Sequence, residues 1–414
     1  LTQAGERAGY LEALADLSKA LALINSLPLT PARTEEEFAL YLRQAEVLHF
    51  LGRREEIIRL LLAHRERLEG LHDPSLAGQY YFWLGWAHAW LGHRAEASEN
   101  LSRSLEEAKR SGDEALLGRI HRAVALEYTY SGRPLDDAVS HAREAVALLE
   151  QTADHFWFSQ ALFALSYCCY YAGDFDGALE AAARLDALGE RIGSRRARAE
   201  AAMGGLAHAT RGDWTVGIEA CQRALEAAPD PFETAFVVAC LGKAYSEAGD
   251  VNRAVPTLEQ AVQLADQVRS RQWRAWFRTW LGEAYLLGKQ LDRATELLGE
   301  TMKTCTEIKY AVGIGWCHHI LGRVAQARGD LVEASRHLDE AVRIFQTLGA
   351  KFELARAYLA QAELSHAQGD SGRVGVCLSE ACRLFRILRV PRYVEQTQQC
   401  GRRFGVAISD DPAR

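Results

Sequence analysis

Apolar residues recur along the whole chain at spacings of three and four, separated by charged residues and single glycines. This pattern is typical of amphipathic α-helices that bury one stripe of their surface. Asp, Gly and Pro punctuate the pattern at the places where helices would begin or end. No alternating run predicts a β-strand. The sequence therefore predicts an all-α fold.

One phrase recurs inside this pattern, with Leu-Gly at its start and Ala at its end. Its clearest copies are LGWAHAWLGHRAEA (84–97), LGKAYSEAGDVNRA (241–254), LGEAYLLGKQLDRA (281–294) and LGRVAQARGDLVEA (321–334). Weaker copies lie between them. Such self-similarity at a fixed interval indicates a repeat architecture.

A turn residue in each copy sets the length of the repeat. The predicted turns lie at Gly9, Gly52, Gly92, Gly132, Gly173, Gly212, Gly249, Lys289, Gly329 and Gly369. Their spacings are 43, 40, 40, 41, 39, 37, 40, 40 and 40 residues. We expect about ten copies of one unit in which the turn ends a first helix and a residue such as Asp250 or Asp330 caps a second.

The repeats resemble tetratricopeptide repeats (TPRs), whose first helix carries Leu-Gly-x-x-Tyr and whose second opens with a small residue. Leu241-Gly242-x-x-Tyr245 with Ala254, and Leu281-Gly282-x-x-Tyr285 with Ala294, carry the closest match. The resemblance implies a right-handed superhelical solenoid of about ten antiparallel helix pairs. It would be one continuous domain over residues 1–400, closed by a polar helix at 392–400 and followed by a tail at 401–414.

The 40-residue period narrows the resemblance, since the common TPR has 34 residues. Long repeats of this kind resemble the sensor arms of bacterial STAND-type signalling ATPases, including the maltotriose-responsive transcription activator, and the arms of ATPase-linked nucleotide cyclases. Animal scaffolds that orient the mitotic spindle also have 40-residue TPRs. The resemblance implies an effector-sensing arm of a larger cytosolic signalling or transcription-regulating ATPase, whose upstream domain would precede Leu1. The alternative is a stand-alone TPR scaffold that binds a partner peptide in its concave groove.

Helical geometry separates a packing face from a groove face in each first helix. In the repeat that ends at Gly92, we expect Tyr81, Leu84, Gly85 and His88 to pack, with Gly85 permitting close approach of helices. By resemblance, positions 13, 10, 6, 3 and 2 before the turn line the ligand groove. The resulting candidate groove residues are Phe82, Trp86, Trp90, Arg119, Arg122, Tyr130, Phe163, Tyr167, Tyr170, Tyr171, Lys243, Trp276, Glu283, Trp316, His319 and Arg323.

The aromatic groove residues have two interpretations. They could form an exposed patch that binds a protein or peptide partner, or a small effector such as a sugar stacked on Trp and Tyr rings. They could equally pack against one another, because tight superhelical arrays can fill their own groove.

Catalytic and metal-binding patterns are weak throughout the chain. No G-x-x-x-x-G-K-[ST], H-E-x-x-H or G-x-S-x-G sequence occurs. Cys317, His318 and His319 are consecutive, so on a helix they point in directions 100° apart and do not share a tetrahedral ion. We therefore expect no enzymatic activity, no metal site and no cofactor.

Charge and composition exclude two further classes. The 48 Lys and Arg against 55 Asp and Glu give a net charge of −7, which disfavours direct nucleic-acid binding. The longest apolar windows reach about a dozen residues, below the roughly 18 needed to span a bilayer. The nine cysteines lack any C-x-x-C spacing and read as reduced thiols. We expect a cytoplasmic protein without membrane contact.

Overall fold

The structure, a computed structural model, describes residues 3–28 and 30–408. These residues form twenty-one α-helices and one 3-10 helix, with no β-strand among them. The α-helices are α1 (Gln3–Ile24), α2 (Pro31–Phe50), α3 (Arg54–Ala63), α4 (Pro74–Leu91), α5 (Arg94–Ser111), α6 (Glu114–Ser131), α7 (Leu135–Glu150), α8 (His155–Ala172), α9 (Phe175–Ile192), α10 (Arg195–Glu200), α11 (Ala202–Arg211), α12 (Trp214–Ala227), α13 (Pro231–Glu247), α14 (Val251–Gln267), α15 (Arg271–Leu287), α16 (Leu291–Glu307), α17 (Ala311–Arg328), α18 (Leu331–Leu348), α19 (Lys351–Gln368), α20 (Ser371–Ile387) and α21 (Pro391–Phe404). The 3-10 helix, Arg65–Gly70, follows α3. The predicted all-α fold is confirmed.

Between α1 and α21 the described helices follow one another as nine pairs, each with a first and a second helix. The first helices are α2, α4, α6, α8, α10 with α11, α13, α15, α17 and α19. Helices α10 and α11 count as one first helix that is interrupted at Ala201. The chain is thus an all-α solenoid of repeated helix pairs, as the sequence predicts.

The turn inside each pair contains a residue in the left-handed conformation. Nine of the ten predicted turn residues have positive φ, among them Gly92 at 81° and Gly329 at 83°. Glycine adopts this conformation without the steric cost that a Cβ brings. Lys289, with φ of 57°, is the non-glycine member of the set.

The turn predicted at Gly9 is wrong, because Gly9 lies inside α1. The apolar spacing continues through it, and one glycine within a helix costs only about 0.5–1 kcal/mol relative to alanine. A glycine at the right interval therefore does not end a helix when the sequence on both sides favours one.

Within a pair, the two helices approach most closely at a glycine of the first helix. A Cβ added to Gly85 would lie 3.0 Å from both the backbone N and the side chain of Leu101. The same contact joins Gly242 to Leu258, Gly282 to Leu298, and Gly322 to Leu338, where the added Cβ would lie 2.7 Å from the leucine side chain. The close approach expected at Gly85 is confirmed and recurs across the repeats.

Local signals also start the helices where the sequence predicts. Asp250 accepts a hydrogen bond from the backbone N of Arg253 (3.1 Å), and Asp330 accepts one from Glu333 (3.0 Å). Both carboxylates therefore cap second helices as expected.

Seven further left-handed residues end second helices or α21, and the sequence reading did not anticipate them. They are Gly112, Gly193, Arg269, Lys309, Gly349, Arg389 and Gly405. Three of them carry side chains, so composition alone does not mark these turns.

The described chain divides into two compact units. The first contains residues up to Glu127 together with His141–Ala161, and the second contains Tyr128–Ser140 together with the residues from Leu162 onward. The single continuous superhelix over residues 1–400 stays a prediction.

The C-terminal segment differs from the expected boundary. Helix α21 covers the helix predicted at 392–400 and continues to Phe404, so the first four residues of the predicted tail are helical. Tyr393, Thr397, Cys400 and Gly401 are buried in it. Residues 409–414 lie outside the described residues.

Two expectations about the environment of the chain can be compared with the structure. All nine cysteines are buried and free of disulfides. Among the described helices, none combines the length and the apolar character that a membrane span requires.

The close helix approach gives a paired test. Gly282→Ala should lower the free energy of unfolding by about 1–3 kcal/mol, because the new methyl would lie 2.7 Å from Cδ2 of Leu298. The control is Gly299→Ala in α16, an exposed position with no atom within 4 Å of the added Cβ. It should raise stability by about 0.5–1 kcal/mol, as helix propensity dictates. Urea unfolding followed by circular dichroism measures both, and equal shifts would contradict the packing role.

Candidate functional site

The sixteen candidate groove residues lie on first helices and divide between the two units. The first unit contains Phe82, Trp86, Trp90, Arg119 and Arg122. The second contains Tyr130, Phe163, Tyr167, Tyr170, Tyr171, Lys243, Trp276, Glu283, Trp316, His319 and Arg323. The two sets differ in exposure and in chemistry.

In the first unit, arginine and tryptophan side chains alternate in a row that we call the Arg–Trp ladder. The ladder consists, in spatial order, of Arg54, Trp90, Trp86, Arg122, Trp157 and Arg119. Helices α3, α4, α6 and α8 supply these residues, so four consecutive helix pairs contribute to it.

The two tryptophans of α4 form the centre of the ladder. Cζ of Arg54 lies 4.9 Å from the ring centroid of Trp90. The Trp90 and Trp86 rings are 5.9 Å apart and nearly perpendicular, at 84°. Cζ of Arg122 lies 4.9 Å from the Trp86 ring on the far side. A guanidinium within about 6 Å of an indole face is attracted by the ring quadrupole.

The ladder continues onto α8 through Trp157. Cζ of Arg122 is 5.6 Å from that ring, and Cζ of Arg119 is 5.1 Å from it. Phe82 packs edge-on against the same indole, with centroids 6.0 Å apart. One aromatic ring therefore holds both arginines of α6.

Hydrogen bonds fix the orientation of these arginines. Nη2 of Arg122 donates to Oε1 of Gln160 (2.9 Å), and its Nε donates to the Gln160 carbonyl (3.3 Å). Nη2 of Arg119 donates to Oδ2 of Asp154 (2.8 Å). Both contacts join α6 to the start of α8, which places the guanidinium groups before any ligand arrives.

The ladder is buried at its centre and accessible at its edge. Phe82, Trp86 and Arg122 are buried, whereas Trp90 and Arg119 are half-buried. Nε1 of Trp86 is buried, and within the described part of the chain it has no hydrogen-bond partner. A partner at this face would therefore meet Trp90 and Arg119 first.

In the second unit, five of the seven candidate aromatic residues fill the interior, whereas Tyr130 and Phe163 are half-buried. Tyr167, Tyr170, Tyr171, Trp276 and Trp316 are at most 8% exposed. The Tyr167 hydroxyl donates to that of Tyr171 (3.0 Å), and the ring of Tyr167 meets Trp276 edge-on at 5.5 Å. These residues pack against one another, and ligand contact by them stays a prediction.

A buried ion network lies beside these aromatic rings. Nζ of Lys243 lies 2.7 Å from carboxylate oxygens of both Glu247 and Glu283. Arg356 pairs with Glu283 and, at 3.1 Å, with Glu353. Four of the five charged groups are buried and Glu353 is half-buried. Lys243 and Glu247 lie on α13, Glu283 lies on α15, and Glu353 and Arg356 lie on α19. The network therefore connects these three first helices.

His319 lies at the edge of this network without a hydrogen bond. It is 2% exposed, and neither ring nitrogen has a hydrogen-bond partner among the described residues. It lines a small cavity together with Lys243, Glu283, Trp316 and Arg356, with about 10 Å³ of space for the centre of a water molecule. That is room for one water and no larger ligand.

Helix α21 covers the network. The Tyr393 hydroxyl donates to Oε2 of Glu247 (3.1 Å), and Nη1 of Arg392 donates to the Glu247 carbonyl (2.5 Å). Arg392 also lies 4.8 Å above the ring of Trp214. Helix α21 thus covers the interior of the second unit, whereas the sequence predicts it only as a polar helix that caps the end of the solenoid.

Comparisons with known proteins agree with this architecture. Residues 197–400 match the family model of the MalT-like TPR region. The chain is a TPR-type helical repeat protein. The resemblance found in the sequence is thereby confirmed at the level of the repeat. No curated protein matches the chain in sequence.

Three solved structures share the fold of this TPR protein. A Rap protein complexed with competence and sporulation factor is 14% identical with a TM-score of 0.64, over 88% of this chain and 99% of that chain. The apo form of the quorum sensor NprR from B. thuringiensis is 12% identical with a TM-score of 0.56, over 82% and 98%. The Rap conjugation gene regulator of plasmid pLS20, in complex with the Phr* peptide, is 14% identical with a TM-score of 0.54, over 82% and 97%.

Electrostatic interactions keep Lys243 and Glu283 of the buried ion network in their charged forms. Burial disfavours the ammonium of Lys243, but the carboxylates of Glu247 and Glu283 outweigh this effect and raise the Lys243 pKa. Burial likewise disfavours the charge of Glu283, yet Arg356 and Lys243 hold its pKa well below the ordinary range. Removal of one member would leave its partners buried and uncompensated.

At the ladder, the effect of burial on the pKa of charged groups outweighs the effect of the neighbouring charges. Burial lowers the pKa of Arg54 to about 10, with the charge of Glu55 only partly opposing it. Burial also raises the pKa of Glu46, although Arg119 acts to lower it. Arg54 therefore carries a poorly compensated positive charge at its end of the ladder.

The sequence reading missed Arg54 and Trp157, two members of the ladder. Arg54 lies on a second helix, and Trp157 lies sixteen residues before Gly173, outside the positions taken to line the groove. The signal available for Arg54 was its place two residues after Gly52, where the side chain turns back toward the first helices.

His319 makes stability depend on pH. Burial, with the charges of Arg356 and Arg323, lowers its pKa well below 6.5. The unfolded chain therefore binds a proton below pH 6.5 that the folded protein does not, and stability falls as pH falls, by up to about 1.4 kcal/mol per pH unit. His319→Gln should remove this loss, so the difference in unfolding free energy between variant and wild type should change in favour of the variant from pH 7.5 to pH 5.

The control for this comparison is Ile320→Val, which shortens a neighbouring buried side chain without altering any titratable group. It should lower the free energy of unfolding by about 0.5–1.5 kcal/mol. The decrease should be the same at every pH. If the difference in unfolding free energy between His319→Gln and the wild type were also independent of pH, it would contradict the lowered pKa of His319.

Proposed function

We propose that this chain is a non-catalytic TPR module that binds a protein or peptide partner. In this proposal it serves as the effector-sensing arm of a larger cytosolic signalling or transcription-regulating ATPase. The observation that carries the binding role is the accessible edge of the Arg–Trp ladder, where half-buried Trp90 and Arg119 lie over a fixed, buried base. Aromatic and arginine side chains in this arrangement are the usual anchors of protein interfaces.

A peptide partner has support from proteins of the same fold. One of the Rap structures holds the Phr* peptide, and another is complexed with competence and sporulation factor. The ladder crosses four helix pairs, so it offers a surface of the length that an extended or helical peptide requires. A sugar that stacks on Trp90 would use the same ring and is an outcome of the test below.

The sensing role has support from the MalT-like TPR region matched at residues 197–400. In a solenoid each repeat contacts its neighbours, so a ligand that spans several repeats alters their relative rotation. Arg119 and Arg122 join α6 to α8 within the first unit, and a ligand that competes for them would loosen or tighten that junction. A stand-alone scaffold that binds the same peptide without an attached ATPase is the alternative.

Selection of displayed peptides against the immobilised chain, followed by isothermal titration, tests binding. We expect selected peptides to bind the wild type and Trp90→Ala to weaken them at least about tenfold, because it removes a half-buried interface anchor. The control is Trp214→Ala, which removes a partly exposed tryptophan (38%) on a second helix of the other unit. Maltotriose is titrated in parallel as the sugar probe.

Three results would contradict parts of the proposal. No selected peptide, or equal effects of the two tryptophan variants, would exclude a peptide site at the ladder. Binding of maltotriose alone would replace the peptide with a sugar. Peptide binding without any change in ATP hydrolysis by the native gene product would favour the scaffold over the sensing arm.

A further inference from the structure

Arg54 has a partly buried guanidinium for which the described residues supply no ion-pair partner. Its side chain is half-buried, its Nε is buried without an acceptor, and its Cζ lies 4.9 Å from the Trp90 ring. Among the described residues no carboxylate forms an ion pair with it. Such a desolvated cation is costly unless a partner compensates it.

The next repeat shows what the missing partner would be. Arg94 lies two residues after Gly92, as Arg54 lies two residues after Gly52. Nη1 of Arg94 pairs with Oε2 of Glu127 at 2.8 Å, and both side chains are buried. Glu127 follows Arg94 by 33 residues, whereas the residue 33 positions after Arg54 is Ala87.

The remaining charges of the face do not supply this partner. Asp154 pairs with Arg119 at the opposite end of the ladder. Burial raises the pKa of Glu46, which reduces the negative charge available there, and Arg43 beside it is exposed. Glu55, the exposed carboxylate next to Arg54, opposes the effect of burial on the Arg54 pKa only in part. A poorly compensated positive charge at Arg54 thus lies on a protein whose net charge is −7. It is complementary to an acidic ligand and not to a basic one.

The tryptophans beside Arg54 add a second requirement. The half-buried ring of Trp90 offers apolar surface next to the guanidinium, and Nε1 of Trp86 is a buried donor without an acceptor. A ligand that satisfies the face therefore combines a carboxylate with an adjacent apolar group. Arginine binds carboxylates with charge-assisted, directional hydrogen bonds, and indole packs against aliphatic or aromatic side chains.

We propose that the Arg54 end of the ladder binds an acidic peptide segment, in which one carboxylate takes the place that Glu127 occupies beside Arg94 and a neighbouring apolar side chain packs on Trp90. The inference rests on the proposed function as a peptide-binding module. It specifies an acidic segment with a neighbouring apolar side chain, and it assigns recognition of that segment to Arg54 and Trp90.

Hexapeptide sub-libraries with one position fixed as Glu, Gln or Lys are the probes, and fluorescence anisotropy with the full chain is the measurement. The wild type should bind the Glu set at least about tenfold more tightly than the Gln set, and the Lys set most weakly. Arg54→Gln should abolish this preference. The matched control is Arg53→Gln, since Arg53 is adjacent, 40% exposed in its side chain and paired only loosely with Glu56 at 3.6 Å.

A stability measurement separates a binding role from a structural one. Arg54→Gln removes an uncompensated cation and should leave the urea midpoint unchanged or higher, whereas Arg94→Gln breaks a buried pair and should lower it. A fall of the midpoint in Arg54→Gln as large as that in Arg94→Gln would show that Arg54 is a structural residue and overturn the proposal.

The binding outcomes distinguish this inference from the proposed function. Failure of every sub-library to bind the wild type would overturn both. Binding without a preference for Glu, or equal losses in Arg53→Gln and Arg54→Gln, would overturn the acidic-peptide assignment and leave peptide binding intact. Displacement of the Glu set by inorganic phosphate at equal concentration would replace it with a general anion site.

Discussion

Close approach of two helices at a glycine sets the geometry of the helix pairs that contain Gly85, Gly242, Gly282 and Gly322. A side chain at Gly242 or Gly282 would overlap the leucine opposite, so the separation of each pair is fixed by the absence of a Cβ. That separation, with the left-handed residue that reverses the chain, determines how the two helices of a pair lie against each other. The backbone constraint leaves the side chains at the candidate groove positions free to differ between the units.

The candidate groove residues have different surroundings in the two units. In the second unit, aromatic rings and paired charges satisfy one another, and α21 covers Glu247. In the first unit, neutral and acidic partners fix Arg119 and Arg122 of the ladder, whereas among the described residues no carboxylate forms an ion pair with Arg54. This difference is the reason for proposing the peptide site in the first unit.

The sequence predicts the part of the structure that depends on local signals. Repeat length, the turns at Gly92 and Gly329 and the caps at Asp250 and Asp330 follow from spacing and backbone preference. The turn assigned to Gly9 failed because its neighbours continue the helix. Contacts between distant segments were beyond such signals: no spacing relates Tyr393 to Glu247, and the pairing of Arg54 with Trp90 depends on where a second helix places its first side chain.

The closure by α21 constrains the order in which the protein can be completed during synthesis. Each helix pair can form as soon as it leaves the ribosome, because its contacts are local. The ribosome adds Lys243, Glu247 and Glu283 well before Tyr393, which follows Glu247 by 146 residues. Until then these groups remain open to water. The interior of the second unit is covered only once α21 has been made, so a nascent or truncated product that stops before α21 displays a polar surface that α21 otherwise hides.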